Sequence, residues 1–370
     1  MQTTLLQPPQ LEPLPADQGS YVPSLLDRSG ERDALAQTHE DVWARMTPIL
    51  HFLGPTNPNP DLKTTRFTNW SKRMMAAVGQ HPFYLDISRL SPLVTVETGK
   101  GSVPILDRLY ESMRKRDARF MPVVPVDDRF EASLNSTANC AIRDGHGLAI
   151  RYRFRDLVAN PGMNHTIRLS EVLDKLKCDS GKTDLLIDAG YIDPDDEFDV
   201  DTLANDIQAM ISVAEWRTVT FLGTSIPATM SEVKEGTTGR IDRREWALWK
   251  ELTTKPLPRP IAFGDYGIQH PKPPSGGGPS MRRNIRYTTP DETIVARAFG
   301  RFTDSDADQY RELCVGLKAM SEFQGRPYSW GDEIISDCAD GVLMPGEQEM
   351  WRGAGTAHHL QAVSDQLRGA

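Results

Sequence analysis

Asp86, Asp188 and Asp265 each stand directly behind a short apolar run: FYL, LLI and AFG. Arg151 ends a fourth such run, LAI, and Arg28 and Glu31 follow a fifth, YVPSLL. Three carboxylates gathered at one end of neighbouring strands bind a divalent cation, or divide proton affinities so that one serves as acid and another as base. Guanidinium groups beside them suit a phosphate or carboxylate, because the planar fork pairs bidentately with two oxygens. One reading of the set is a metal-assisted hydrolase of phosphoesters, with Asp86, Asp188 and Asp265 as ligands of a divalent cation and Arg151 as the anion clamp. The plainer reading has each aspartate cap the next helix or pair with a neighbouring arginine, which makes the cluster a plug of ion pairs. The sequence leaves open whether the chain is catalytic.

These residues need elements to carry them. Between Tyr21 and Ile268 the chain repeats one pattern eight times: a short apolar run ending in a polar residue, then a longer amphipathic stretch. The runs at 21–26, 47–53, 83–86, 120–126, 148–153, 184–188, 217–222 and 261–265 read as strands, joined by helices through parallel crossovers. The pattern predicts a (β/α)8 TIM-like barrel, whose chemistry sits at the carboxyl ends of its strands. The fourth strand is the weakest, since Pro122 and Pro125 each remove a ladder donor. Helices are expected over 103–116, 170–177, 200–213 and 240–252.

The predicted organisation has four parts. Residues 1–20 are a flexible, proline-rich tail, 21–270 the barrel and 271–280 a Pro/Gly linker. Residues 281–370 form a C-terminal β/α extension packing on the barrel, because so short a segment holds little core of its own. A hairpin over 284–288 and 293–302 and helices over 306–323 and 357–367 make up that extension.

Among the 370 residues the net charge is −9, which excludes a protein that coats nucleic acid through its overall field. No run approaches the roughly 18 apolar residues of a membrane span, and the start MQTTLLQPPQ lacks the regions of a signal peptide, so a cytoplasmic protein is expected. Cys140, Cys178, Cys314 and Cys338 lie far apart and read as free thiols. The acidic stretch 193–201 lacks the glycine of a calcium loop, and Ser180-Gly181-Lys182-Thr183 lacks the first glycine of a phosphate loop, Leu176 standing in its place. Arg243-Arg244-Glu245-Trp246 reads as ion pairing on a helix surface over a buried tryptophan. Arg282, Arg283, Arg286, Arg297 and Arg301 form a basic patch on the hairpin, suited to an acidic partner or a nucleic-acid backbone. His358 and His359 are adjacent, so on one helix they point apart and do not share a metal.

Several segments, taken in order, resemble the beta protein family. They are Tyr21-Val22-Pro23 with Arg28, Gly30-Glu31 and Ala34-Leu35; Thr47-Pro48-Ile49; the strand ends Asp86 and Asp188; Arg243-Arg244-Glu245-Trp246 with Trp249; Gly264-Asp265-Tyr266-Gly267; and Gly331-Asp332 with Trp351 and His358-His359. The resemblance covers nearly the whole chain after residue 20, and departs at Ser24 and in the proline-rich amino end. It implies a role in phage immunity beside a co-encoded toxin or nuclease-like protein, through which nucleic acid is met, and it brings no catalytic residues. The expected function is the non-nuclease component of a two-protein antiphage defence or toxin-control module, with the barrel mouth binding a ligand or the partner.

Overall fold

The computed structural model describes residues 20–53, 64–89, 95–98, 101–154, 164–272, 283–299 and 306–369. The proline-rich stretch before residue 20, most of the 271–280 linker, Arg282 and Arg301 lie outside them. The apolar runs form strands because their β-branched and aromatic residues fit a pleated surface covered on both faces. The first half of the chain runs β1 (Tyr21–Leu26), α1 (Ser29–Ala36), α2 (Glu40–Trp43), β2 (Ile49–His51), α3 (Thr64–Val78) and β3 (Phe83–Asp86). It continues with β4 (Thr95–Thr98), β5 (Gly101–Pro104), α4 (Ile105–Arg114), β6 (Phe120–Pro125), α5 (Leu134–Asp144) and β7 (Leu148–Arg153). Then come α6 (His165–Leu176), β8 (Thr183–Tyr191), α7 (Val200–Ile211), β9 (Val219–Thr224), β10 (Thr238–Asp242), α8 (Arg244–Thr253) and β11 (Ala262–Asp265).

Eight of these strands close a parallel barrel in the order β1-β11-β9-β8-β7-β6-β3-β2. The proline-bearing β6 takes its place between β3 and β7, and directly after Pro125 the Val126 N–H restores a ladder bond to Arg151 O at 3.0 Å. The short antiparallel hairpin of β4 and β5 was not foreseen. Alternation sorts the strand residues. Val22, Ile49, Tyr84, Val123, Ala149, Leu186 and Leu222 fill the barrel interior, while Tyr21, Leu50, Phe83, Ile150, Phe221 and Phe263 meet the outer helices. Leu186 and Phe221 are each 0% exposed, one on either side of the sheet. Leu186→Ala or Phe221→Ala is expected to cost about 2 to 5 kcal/mol in urea unfolding, and a loss below about 1 kcal/mol would mean the barrel wall repacks.

Beyond the barrel, β12 (Asn284–Thr288) and β13 (Glu292–Arg297) form the hairpin, followed by α9 (Asp306–Lys318), α10 (Trp330–Ala339) and α11 (Gln348–Arg368). One correction concerns the helix expected over 240–252. Its first residues belong to β10, which pairs antiparallel with β13 to make a three-stranded sheet, and α8 begins at Arg244. The partner strand lies some fifty residues away, so local pattern could not reveal the pairing.

The C-terminal helix α11 supplies Leu360, Val363 and Leu367 to the same core as the outer barrel helices, while its Trp351 packs with Tyr287, Ile335 and Cys338 in a second core. It lies beside α1, where a barrel of this class places the helix that follows its last strand. The two helices meet through glycine: a Cβ on Gly30 would stand 2.9 Å from Gly353 N and nearer still to Glu349 O. Gly30→Ala is therefore expected to lower the melting temperature by several degrees, a cost of about 1 to 3 kcal/mol from forced separation of the two backbones.

Candidate functional site

Two residues beyond the interior apolar layer, the same face of each strand carries Ser24, His51, Asp86, Arg151 and Asp188, all buried. Arg151 is the hub. It donates to Asp86 Oδ2, to Asp188 Oδ2 at 3.0 Å from Nε, and to the Tyr266 hydroxyl at 2.6 Å. Tyr266 in turn donates to Asp188 Oδ1 at 2.7 Å, and the N–H groups of Ser88 and Gly190 close the remaining carboxylate lone pairs at 2.7 and 2.9 Å. His51 shares a 2.8 Å hydrogen bond with Ser24 Oγ, and its Nδ1 lies 3.6 Å from Asp86 Oδ2.

The electrostatics follow from burial and pairing. Burial pushes His51 down to about 3, with the Arg151 charge adding to it, so the ring is neutral at physiological pH. Burial acts to raise the Asp86 carboxyl, yet the Arg151 guanidinium and the Ser88 N–H hold it below its ordinary value. Arg151 is driven the other way: burial would lower it, but Asp188, Tyr266 and Asp86 raise it well above normal. Asp86 is thus held as an anion, and Arg151 bridges it to Asp188.

Asp265 does not join them. It directly precedes Tyr266, which faces the interior, so Asp265 faces the opposite side of the sheet. There it accepts from the Tyr21 hydroxyl at 2.8 Å and the Gly267 N–H at 2.8 Å, and meets His359 Nε2 at 2.9 Å. His359 Nδ1 continues to Thr288 Oγ1 at 2.7 Å, while its neighbour His358 meets Asp332 Oδ2 at 2.9 Å and Thr288 O at 2.8 Å. The two histidines point apart as expected, each tying α11 to a different aspartate. A metal held jointly by Asp86, Asp188 and Asp265 is corrected by this geometry, and among the described residues no group of three or more histidine, cysteine or acidic side chains is placed to hold a metal ion.

Arg28 and Glu31 also stand apart from the interior set. Glu31 is 1% exposed and lies among Arg28, Arg352 and Glu349, near Arg286. Burial raises its carboxyl to about 7 against the pull of the two nearest arginines.

The basic hairpin patch is a second correction. Arg283 is 4% exposed and donates to Gln309 Oε1 at 2.9 Å; Arg286 donates to Ile268 O; Arg297 donates to Met230 O at 2.6 Å. These arginines clip the hairpin to the rest of the chain, because a guanidinium can cap several backbone carbonyls that loops leave open. Arg243 and Glu245 are likewise buried connectors and not surface pairs: Arg243 donates to Thr289 O at 3.0 Å, and Glu245 accepts from Ser225 N and Oγ at 3.0 and 2.7 Å.

Sequence reasoning missed His51, Ser24 and Tyr266, although Ser24 and His51 each sit two positions beyond an interior apolar residue, where strand parity would have found them. It also missed a matching plug at the amino ends of the strands. There Asp184 accepts from Arg217 Nε, Thr218 Oγ1 and the Tyr84 hydroxyl at 2.9, 2.8 and 2.9 Å, at the end of such barrels associated with stability. On the mouth side, Arg153 stands exposed two residues beyond Arg151 on the same face of β7.

The profile of the family described as Beta protein matches residues 21–365. No curated protein matches the chain. Among solved structures, a Bacteroides thetaiotaomicron protein named by inference as an alpha-L-fucosidase shares 11% identity over 71% of this chain and 91% of its own, with a TM-score of 0.39. So loose an overlay carries no argument about activity.

Proposed function

As the chain belongs to the beta protein family, we propose that it is the non-nuclease component of a two-protein antiphage or toxin-control module, working in the cytoplasm and meeting an acidic segment of its partner at the barrel mouth. One observation carries this reading. The strand-end carboxylates are consumed by Arg151, while Arg153 stands exposed just outside them. A sealed, pre-organised floor beneath an exposed guanidinium suits recognition, since it presents charge without reorganisation on binding. Among the described residues no helix is long and apolar enough to cross a membrane, which is compatible with a freely diffusing partner.

The test pairs the chain with the product of the adjacent reading frame. Arg153→Glu is expected to slow association by about tenfold at low salt, with a shallower salt dependence, because an exposed rim charge acts chiefly on the encounter rate. Unchanged rates across the salt series would remove the mouth as the interface. Failure of the two proteins to associate at all, together with unaltered phage plating when the chain is deleted, would end the module reading.

A further inference from the structure

The three-stranded sheet has one covered edge and one bare edge. On the β12 side it abuts α11, so closely that a Cβ on Gly355 would stand 2.8 Å from Arg286 O. On the other side β10 is outermost, and its residues alternate between exposed and half-buried. Antiparallel pairing turns the main chain of every second residue toward the neighbouring strand, and that of the residues between away from it. Arg297 N donates to Thr237 O at 3.0 Å and Arg243 N to Asp291 O at 2.8 Å, and Gly239 and Ile241 stand opposite Val295 and Thr293 in the same register. Thr238, Arg240 and Asp242 therefore turn their N–H and C=O groups away from β13, and all three residues are exposed. A row of outward-facing main-chain donors and acceptors is a template for another extended chain.

The surroundings select which chain. Arg240 pairs with both Glu292 and Glu322, so one cation meets two carboxylates. Exposed Asp242 adds a third carboxylate. The turn before β10 brings Glu232 and Glu235 against Lys234, and past the far end Lys250 lies 3.5 Å from Asp291. Acid exceeds base along the edge. Like charge thus opposes pairing with a second copy of this chain, and opposite charge favours a basic segment. At the head of the strand the Phe299 ring, 75% exposed, leans on Gly236, where a Cβ would stand 3.2 Å from Phe299 Cδ2. An open aromatic face attracts a lysine or arginine side chain.

We propose that β10 is a docking edge for an extended, basic segment of another protein, which pairs with Thr238, Arg240 and Asp242 as a fourth strand of the sheet and lays a cationic side chain on Phe299. The edge is separate from Arg153 and from the interior set around Arg151, so its failure leaves the module reading untouched.

A synthetic peptide of alternating lysine and valine, with its glutamate–valine counterpart, tests the proposal on the full chain at constant ionic strength. The basic peptide is expected to bind saturably and about tenfold or more tighter than the acidic one. It should slow amide hydrogen exchange across Thr238–Asp242 by about tenfold or more. Thr238→Pro should abolish both effects, since the lost N–H faces away from β13 and its removal leaves the existing ladder intact, whereas Thr238→Ala should keep them. Asp242→Lys, which leaves the backbone unaltered, should weaken the basic peptide and strengthen the acidic one. Absence of saturable binding, protection that falls outside β10, or equal affinity in Thr238→Pro with an unchanged melting temperature overturns the edge. Preference for the basic peptide that survives Asp242→Lys undiminished overturns the charge selection. A dimer in sedimentation velocity with β10 protected in the peptide-free chain would give the edge to a second copy and overturn the proposed partner.

Discussion

Arg151→Met is expected to destabilise the fold by about 3 to 5 kcal/mol, the largest effect of any single substitution at the barrel mouth. The side chain removed is 2% exposed and holds two anions that are themselves buried, at 0% and 3%. Methionine fills much of the volume but leaves Asp86 and Asp188 facing each other without the Arg151 countercharge, and among the described residues the Ser88 and Gly190 N–H groups and Tyr266 still donate to them. The loss should therefore depend on the aspartates. Combining Arg151→Met with Asp86→Asn and Asp188→Asn should recover most of it, because neutral amides do not need the cation. Urea unfolding of the single and triple variants measures both quantities. A single-variant loss below about 1 kcal/mol would mean that water reaches the plug and screens it. The wild-type chain should also lose stability as pH falls below the usual carboxylate range near 3.9, since Asp86 binds its proton less readily folded than unfolded.

Glu31→Gln is expected to act in the opposite direction and with the opposite pH dependence. The folded chain holds this carboxyl at about 7, whereas an unfolded chain holds it near 4.3. Below about 4.3 both states are protonated and the residue contributes no pH dependence. As pH rises through this window the unfolded state loses its proton first, so stability falls until the folded state is also ionised. The full cost, about 3 kcal/mol, is present above pH 7. Glutamine cannot ionise, so the variant should be more stable than wild type by roughly that amount at pH 8 and should converge with it near pH 4.5. Melting curves across that range decide the matter. Parallel curves for the two proteins would mean that Glu31 is solvated in solution.

Some of this was legible in local pattern. Interior apolar residues at alternate positions gave each strand, and alternation of strand with helix gave a closed parallel barrel with β6 included despite its prolines. The pairing of Asp86, Arg151 and Asp188 also follows from spacing, since all three lie on strand ends and share the parity of Tyr84, Ala149 and Leu186. The same rule, applied to Asp265, would have sent it outward, because it is one residue from the interior Tyr266 and not two.

By itself, then, the sequence determined the barrel, the strand ends at which charge collects and the family to which the chain belongs. All three are encoded in short-range periodicity or in the linear order of segments. Only the tertiary structure decided what each charge meets. Asp265 finds its partner 94 positions later in His359, and Arg243 reaches Thr289 46 positions on. The hairpin arginines turn inward because loop carbonyls of residues 230 and 268 happen to lie beneath them. Helix α11 seals the barrel wall from the far end of the chain, and in doing so brings Arg352 to the buried Glu31. Charge and hydrogen-bond partners are set by proximity in space, and a strand or helix pattern constrains only which way a side chain faces, not what the rest of the chain places opposite it.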